Sequence, residues 1–424
     1  MLRPMPFVPL PAVAALLILS SPGIGAATLL VPSQYPTIQA AVDVARSGDH
    51  VLVAAGTYFE NLEIHGKSIS LASESGPRDT IIDGRAQGSV MRIGEGNSDD
   101  TVSVSGFTLR NGAATDGAGG GIRQLGGTMI IEGNEIVGNH AALVGGACSG
   151  GGIHVFGGAT IRHNRIAGNE SEFDGGGIYV HGSTPTPPIV IADNVIEDNI
   201  ASVVDFRGVG GGVYVRVSAA VVRNVIRNNT TNWYGAGVAV KIGPFTPVYV
   251  ADNLIHGNES DYNGGVYAII ERPGGSGGQF VNNTIADNQG YFGQILTGWY
   301  ASGFTFANNV VVSTDGSVAV TCDKYFDKTS PIFKHNDVYA GDLKPAAGSC
   351  KHDATHGSNM HVDPRFTTGA NGHPYHLAPT SPLIDAGMNR FVKRVHHDLG
   401  GRPRIIDGGR GPIVDIGAFE YRPE

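Results

Sequence analysis

An asparagine that recurs about every thirty residues is the feature that most constrains how this chain can fold. The steps between successive asparagines are 30, 30, 30, 29, 30, 26 and 27 residues. The asparagines are Asn134, Asn164, Asn194, Asn224, Asn253, Asn283, Asn309 and Asn336. A second asparagine follows five residues later in six of these units. Because a unit of this length cannot bury a core alone, consecutive units must stack into a solenoid.

Each unit also carries fixed apolar positions and a cluster of glycines. Ile, Val or Phe stands three residues before the repeated asparagine, and Ile or Val stands two residues after it. Glycine, 63 of the 424 residues, gathers in clusters such as "GGGIHV" at Gly150 and "GGGIYV" at Gly175. Short β-branched segments between Gly and Asn turns predict strands. Stacked coils place equivalent residues about 4.8 Å apart, so the asparagines are expected to form structural ladders at the bends.

Charge and hydropathy exclude several classes of protein. The chain has 29 Lys and Arg against 38 Asp and Glu, a net charge of −9, so we expect no nucleic-acid partner. Residues 1–26 begin with Arg3, continue through the apolar run "VAALLILS" and end in small residues, which predicts a secretory signal peptide. No later segment is apolar for long enough to span a membrane. The sequence therefore predicts an exported protein that is not transmembrane.

Export makes disulfides permissible in a chain with three cysteines. Cys322 and Cys350 lie in the same C-terminal region and are the predicted pair. Cys148, between glycines in "GGACSGGG", is predicted to be a small packed residue in a turn, with a reactive thiol as the alternative.

The repeats resemble right-handed parallel β-helix proteins with the pectin lyase-like fold, over most of the mature chain. The resemblance implies an all-β, single-stranded parallel β-helix. Residues 36–46 are predicted to form an amphipathic helix, apolar at Ile38, Ala41, Val42 and Ala45, that caps the open end of the core. Lyases, hydrolases, esterases, epimerases and non-enzymes all share this fold, so it leaves the function open.

The C-terminal region is similar to the element called the choice-of-anchor Q domain. The similarity rests on "DPRF" at Asp363, "YHLAPTSPLIDAG" at Tyr375 and "HDLGGRPRIIDG" at His397. That element accompanies β-helix repeats in secreted bacterial proteins, so the similarity implies a bacterial source. Its role is either surface attachment or, as we favour, an irregular cap on the last coil.

The predicted organisation has four parts. Residues 1–26 are the signal peptide, 27–118 the N-terminal cap and first coils, 119–340 the regular coils, and 341–424 the C-terminal cap. The motif "GTYFEN" at Gly56 is also similar to the start of pectin methylesterases. Esterase activity is not expected, because a QDT motif is absent and "DFRG" at Asp205 is only a fragment of the second catalytic motif.

The candidate site lies on the strands that follow the glycine clusters. Alternate residues of these strands must face outward. One outward column contains Arg123, His154, Tyr179, Tyr214, Ala239 and Tyr267, and the next contains His181, Arg216 and Lys241 in three consecutive coils. Cations at the spacing of one coil bind carboxylates, and neighbouring tyrosine rings stack on sugar faces. We therefore predict that the partner is an acidic polysaccharide or a cell-surface glycan.

Specific roles follow if the protein is a polysaccharide lyase or a C5 epimerase, which both remove the proton next to a uronate carboxylate. Arg216 is predicted to neutralise that carboxylate, and Lys241 or His181 to accept the proton. Tyr179 or Tyr214 is predicted to protonate the leaving oxygen. The predicted substrate-binding residues are His154, Arg123, Trp233, Tyr234 and Tyr267.

A calcium ion is the one cofactor that the sequence suggests, with no organic cofactor. Asp174, Asp205 and Asp261 stand in the turns that enter these strands and are its predicted ligands. The same aspartates are the candidate carboxylates of a hydrolase, which ranks below the lyase. A different alternative is a non-catalytic surface or matrix protein that uses a rigid β-helix to bind glycans.

Overall fold

The computed structural model describes residues 25–142, 149–182, 188–202, 208–243, 246–274, 277–323, 330–369, 372–392 and 396–423, without the side chains of 95–98. Residues 1–24 of the predicted signal peptide, Cys148 and Asp205 lie outside these ranges. In the described residues, no helix is long and apolar enough to cross a membrane. The chain forms a parallel β-solenoid, as predicted.

Two of the parallel sheets are joined by the long strands Met91–Ser105 and Ile122–Glu132, which belong to both. Sheet 1 is formed by the strands after the glycine clusters: Leu62–Ile64, the first parts of the two long strands, Ile153–Val155, Ile178–Val180, Val213–Val215, Val238–Ile242, Val266–Ile270, Ile295–Trp299, Val320–Cys322 and Ala346–Gly348. Sheet 2 contains Thr28–Val31, His50–Val53, Ser70–Ser73, the second parts of the long strands, Gly158–Arg162, Ile189–Ala192, Ala219–Val222, Val248–Ala251, Gly278–Val281, Phe304–Ala307 and Ile332–Lys334.

Two further parallel sheets complete each coil. Sheet 3 contains Gly56–Tyr58, Thr80–Asp83, Thr108–Arg110, Glu135–Val137, Arg165–Ala167, Val195–Glu197, Val225–Arg227, Leu254–His256, Thr284–Ala286, Val310–Val312 and Asp337–Tyr339. Sheet 4 is short and contains Ala113–Ala114, His140–Ala141, Glu170–Ser171, Ile200–Ala201, Thr230–Thr231 and Glu259–Ser260. An antiparallel pair, Phe366–Thr367 and His376–Leu377, lies in the C-terminal region, and short 3₁₀ helices occupy Ala301–Gly303 and Asn389–Phe391.

The core is closed at its N-terminal end by a helix that is shorter than predicted, Ile38–Val44. The Thr37 side chain caps it by accepting a hydrogen bond from the backbone N–H of Ala40. Ile38, Ala41 and Val42 are buried, as their apolar spacing predicts.

The repeated asparagines form a buried ladder at the bend between sheets 2 and 3. The Oδ1 atom of Asn224 accepts hydrogen bonds from the backbone N–H and the Nδ2 of Asn194, both at 3.0 Å. Its own Nδ2 donates to the Ile191 carbonyl at 2.9 Å and to Asn253 Oδ1 at 3.0 Å. The ladder extends one member beyond the prediction, to Asn359. Each coil is thereby fixed in register to its neighbours.

The C-terminal region does more than follow the last coil. Cys322 and Cys350 form the predicted disulfide, between the end of one strand of sheet 1 and the turn after the last strand. Later residues then run back along the side of the solenoid. Val392 and Val414 pack in one apolar cluster against strands of sheet 2, and Leu383 and Ile416 pack in another against sheet 3.

A fully buried arginine joins this C-terminal segment to the solenoid. Arg404 pairs with Asp252 at the bend before sheet 3, and its Nη1 lies 2.9 Å from Glu420 Oε1. All three side chains are 1% exposed. The C-terminal segment therefore covers sheets 2 and 3, and sheet 1 is the long sheet on which the predicted site lies.

Candidate functional site

The register of sheet 1 brings the predicted columns together. Arg123, His154, Tyr179, Tyr214, Ala239 and Tyr267 are consecutive partners across six strands. In the second column, the backbone hydrogen bonds place His181, Arg216 and Lys241 in consecutive coils. Residues of opposite parity, such as Ile178 and Val180, are buried in the core. The alternation of the strands follows the prediction.

Two tyrosines of the first column differ from expectation because their rings are covered. Tyr179 is 7% exposed and Tyr214 is 2% exposed. Their rings lie 5.4 Å apart, edge to face, and pack with Val209 and Trp233 from the turns that enter the coils. Such rings cannot present a free face to a sugar. Burial also raises the pKa of both phenols, so both stay protonated at neutral pH.

The two cations at the centre of the site share one carboxylate. Arg216 Nη2 lies 3.3 Å from Glu271 Oε1, and Lys241 Nζ lies 3.4 Å from the same atom. The nearby charge of Arg216 opposes the rise in the pKa of the Tyr179 phenol, which desolvation causes. The three charged side chains are about one third exposed, so an incoming anion can reach them. Sequence reasoning missed Glu271, which follows the strand Val266–Ile270 and would have been found by extending the register past Lys241.

Asp174 carries the most perturbed carboxyl group of this region. The residue keeps a partly exposed surface, but its carboxyl oxygens are surrounded by protein, and Oδ1 accepts a hydrogen bond from Val209 N–H at 3.2 Å. Desolvation raises the pKa of Asp174 to about 7, and the charges of Arg216 and Lys241 oppose the rise. Asp174 therefore titrates near neutral pH.

The structure describes two of the three predicted calcium ligands. Asp261 is exposed, Asp174 is enclosed as described, and Asp205 lies outside the described residues. Among the residues described, no group of three His, Cys, Asp or Glu side chains is placed to hold a metal ion. Calcium binding therefore remains a prediction.

The two histidines differ in exposure, although both are biased toward the neutral form. His154 stacks on Tyr179 with ring centroids 5.4 Å apart, and its Nδ1 is buried without a hydrogen-bond partner. Burial, aided by Arg123, lowers the pKa of His154 to about 4. His181 is exposed, and desolvation and the charge of Arg216 lower its pKa. Arg123 itself is paired with Asp116.

The remaining predicted substrate-binding residues meet at an aromatic cleft of about 460 Å³. Trp233 stacks on Tyr234 at 4.8 Å between ring centroids, and Tyr234 stacks on Tyr267 at 4.6 Å. The cleft is lined by Tyr234, Tyr267, Phe292, Leu296, Gly298, Trp299, Thr321, Cys322, Asp323 and Gly348. Lys241 Nζ lies 5.6 Å from the centre of the Trp299 ring, so the cleft lies directly beside the last cation of the row.

Sequence reasoning missed most of the cleft, including Phe292, Trp299 and Asp323. Phe292 and Trp299 lie in the unit where the spacing shortens from 30 to 26 residues, and Asp323 lies in the next unit, of 27 residues. Trp299 is the register partner of Ile270, so continuing the sheet alignment by two coils would have found it.

One comparison with known proteins, that with protein-family models, supports the architecture. A family model described as "Right handed beta helix region" matches residues 200–363, in accord with the predicted right-handed β-helix. No curated protein matches the sequence.

Several solved structures are similar at low sequence identity. The complex of XylC with xylose is 12% identical with a TM-score of 0.48, over 88% of this chain and 66% of that one. A mutant of the PL6 family alginate lyase AlyGC is 17% identical with a TM-score of 0.40, over 82% and 55%. The A-module of the mannuronan C-5 epimerase AlgE6 from Azotobacter vinelandii is 18% identical with a TM-score of 0.43, over 77% and 93%. The chain thus spans less than two thirds of the first two proteins, and these identities transfer no activity to it.

Proposed function

We propose that this protein is a secreted, carbohydrate-active β-helix that binds acidic polysaccharide along sheet 1 and removes the proton next to a uronate carboxylate. The outcome is β-elimination or C5 epimerisation. The observation that carries the proposal is the row of His181, Arg216 and Lys241 in consecutive coils, with both cations partly exposed. Cations at this spacing suit a chain that carries repeated carboxylates.

The chemistry begins when a uronate carboxylate replaces Glu271 on Arg216 and Lys241. Neutralising that carboxylate makes the adjacent C5–H more acidic. His181 is the favoured base, because its ring is exposed and its pKa is lowered, which leaves it neutral and able to accept the proton. It stands one coil, about 4.8 Å, from Arg216.

The proton then has two fates. In β-elimination the C4–O bond breaks, a C4–C5 double bond forms, and the protonated His181 returns the proton to the leaving oxygen. In epimerisation the C5 carbanion takes a proton from a water molecule on the opposite face, and His181 releases the proton it removed to solvent. Since the rings of Tyr179 and Tyr214 are covered, we assign neither phenol to proton transfer.

Secretion is part of the proposal and is supported by the signal-peptide pattern of residues 1–26. The similarity of the C-terminal region to the choice-of-anchor Q element supports a bacterial source. Because residues of this region pack along sheets 2 and 3, we propose that it stabilises the solenoid, with surface attachment as the alternative.

Two observations favour the non-catalytic alternative. Both central cations are compensated by Glu271, and two of the column tyrosines are covered. A protein that only binds glycans on a rigid rod needs no free base. The enzyme is expected to form a product from the polysaccharide, whereas the glycan-binding rod is expected to bind it unchanged.

The test is a substrate panel on the mature chain. Polygalacturonate, alginate and glycosaminoglycans are incubated with calcium and with chelator, and unsaturated products are followed by ultraviolet absorbance and epimerised products by NMR. We expect activity that His181→Ala and Arg216→Ala abolish and that Arg165→Ala, on sheet 3, preserves. Binding without product would support the glycan-binding rod, and the absence of both would contradict the proposal.

A further inference from the structure

We infer that His352 and His356, on the turn that follows the last strand of sheet 1, form a binding site for a divalent transition-metal ion. The inference is independent of the proposed function, because it uses none of the residues assigned to polysaccharide. The protein supplies two ligands, and water completes the coordination of the ion. The bound ion stabilises the turn at the C-terminal end of the core.

The backbone of this turn places the two histidines on one face. The His356 N–H donates to the His352 carbonyl at 3.1 Å, and the Ala354 N–H donates to the Cys350 carbonyl at 2.9 Å, as in one turn of an α-helix. Side chains four residues apart on such a turn are neighbours. The two imidazole rings accordingly lie parallel, with centroids 4.0 Å apart and planes inclined by 8°.

The hydrogen bonds of His356 determine which of its ring nitrogens can bind a metal ion. Its Nδ1 lies 3.1 Å from the His352 carbonyl oxygen and 2.9 Å from Thr355 Oγ1. Since a carbonyl oxygen can only accept, the proton is on Nδ1, and Nε2 keeps a lone pair. The Thr355 hydroxyl donates its own proton to the Lys351 carbonyl at 2.9 Å, so it also accepts from Nδ1 of His356.

A carboxylate orients the second ring. Nδ1 of His352 lies 3.8 Å from Asp353 Oδ1, and this negative charge favours the tautomer with the proton on Nδ1. Metal-ligating histidines usually have a carboxylate or a backbone carbonyl at one ring nitrogen and the metal at the other. His352 and His356 each have such a partner at Nδ1, so both Nε2 atoms are the metal ligands.

The two side chains are accessible and close enough to chelate one ion. Both histidines are exposed, and the His352 side chain is 77% exposed. With Zn–N bonds of about 2.0–2.1 Å, tetrahedral coordination requires ligating nitrogens about 3.3 Å apart. Exposed rings with centroids 4.0 Å apart reach this spacing by a small rotation of the side chains. Imidazole suits Zn²⁺, Cu²⁺ and Ni²⁺, so this ion differs from the calcium predicted on sheet 1.

The turn that carries the histidines is held on both sides. On one side, the disulfide between Cys350 and Cys322 ties it to sheet 1. On the other side, Asn359 Nδ2 donates to the Asp353 carbonyl at 2.8 Å and to the His356 carbonyl at 3.1 Å. Because the backbone is already ordered, binding of the ion requires little further ordering of the chain.

The test is a calorimetric titration of the metal-free chain with ZnCl₂. We expect His352→Ala and His356→Ala each to weaken Zn²⁺ binding by about tenfold or more, because either change leaves one ligand where two act together. His361→Ala removes another exposed histidine of the same region and is the matched control, expected to leave the affinity within about twofold. All three side chains are exposed, so the variants are expected to fold.

Hydrogen exchange provides a local readout of the same event. We expect Zn²⁺ to slow exchange over residues 350–359 in the native chain and in His361→Ala, and to leave it unchanged in the two ligand variants.

The chain has 15 histidines, so the comparison among variants decides the outcome. Equal Zn²⁺ affinity in the native chain and the two ligand variants would show that other histidines bind the ion and would overturn the inference. An equal loss in His361→Ala, exchange over 350–359 that Zn²⁺ does not slow, or no Zn²⁺ binding by the native chain would also overturn it.

Discussion

Glu271 is the side chain that an acidic ligand must displace. Its Oε1 atom bridges Arg216 and Lys241 at 3.3 and 3.4 Å, and all three side chains are partly exposed. Exposed pairs of this kind contribute at most about 1 kcal/mol each, so displacement is feasible. In the free protein, Glu271 keeps the two cations in place beside the cleft.

Glu271→Gln should therefore strengthen the binding of acidic polysaccharide. The variant removes the competing charge and keeps the shape, so we expect affinity for polygalacturonate to rise about two- to fivefold at low salt. Calorimetric titration measures it, and Glu259→Gln, an exposed glutamate on sheet 4, is the control. An unchanged or weaker affinity in Glu271→Gln would show that the ligand does not use these cations.

The charge of Arg216 also tunes His181. Desolvation and that charge together lower the pKa of His181, so removing the charge must raise it. We expect Arg216→Gln to move the titration of the His181 ring to higher pH in NMR spectra, while Arg162→Gln on sheet 2 leaves it unchanged. If the His181 titration stays in place or moves to lower pH in Arg216→Gln, the charge of Arg216 does not lower the pKa of His181. That result would contradict their proposed proximity in the site.

Among the repeated elements, the asparagine ladder holds the coils in register. Removing one member leaves buried donors of the preceding coil unpaired. Without Asn224, the backbone N–H of Asn194 loses its acceptor, and Asn194 Nδ2 keeps only its bond to the Ile161 carbonyl. We expect Asn224→Ala to lower the free energy of unfolding by about 3 kcal/mol. Chemical denaturation measures it, and Thr230→Ala, exposed on sheet 4 of the same coil, should change it by less than about 0.5 kcal/mol. Equal effects in the two variants would contradict the structural role of the ladder.

The docked C-terminal segment should respond to pH in a defined direction. Burial raises the pKa of Asp415 to about 6 and that of Glu420 to about 8, while one guanidinium, Arg404, faces Glu420 and Asp252. These raised pKa values mean that the folded state holds more protons than the unfolded state. The stabilisation that these carboxyl groups give to the folded state is therefore complete below the ordinary pKa values of carboxyl groups. It is lost as the pH rises through about 6 to 8.

We therefore expect protection of residues 404–423 from hydrogen exchange, corrected for intrinsic rates, to fall across that pH window more than protection of the ladder. Glu420→Gln removes the titrating group with the highest value and should reduce the fall. Protection that is constant or rises with pH would contradict the assignment of buried, protonated carboxyl groups at this contact.

Across the whole chain, the regular features were predictable because they repeat. Local spacing gives the asparagine period, the inward Ile and Val positions and the outward columns. Each repeat is a further instance of the same pattern. The disulfide between Cys322 and Cys350 was predicted because both cysteines lie near the end of the repeats.

What the sequence did not reveal depends on contacts between distant segments. Covering of Tyr214 requires turn residues such as Val209, and the approach of Glu271 to Arg216 bridges 55 positions. The contact of Arg404 with Asp252 joins residues 152 positions apart. The sheet register could have placed Glu271 and Trp299, but charge and hydropathy patterns carry no information about the docking of the C-terminal segment, so its path emerged only from the structure.

The molecule separates its stabilising and candidate binding surfaces. The C-terminal segment packs on sheets 2 and 3, while the cations and the aromatic cleft lie on sheet 1. Cations on the other sheets therefore serve as controls of equal charge. Arg162 and Arg165, on sheets 2 and 3, form ion pairs with Glu132 and Glu197, as Arg216 does with Glu271.

The affinity of polygalacturonate for two double variants decides whether the polysaccharide site lies on sheet 1. Arg216→Met with Lys241→Met removes two positive charges from sheet 1, and Arg162→Met with Arg165→Met removes two from sheets 2 and 3. We expect the first pair of substitutions to weaken binding by about tenfold or more and the second pair to leave it within about twofold. Equal losses in the two pairs, or no loss in the first, would contradict a polysaccharide site on sheet 1.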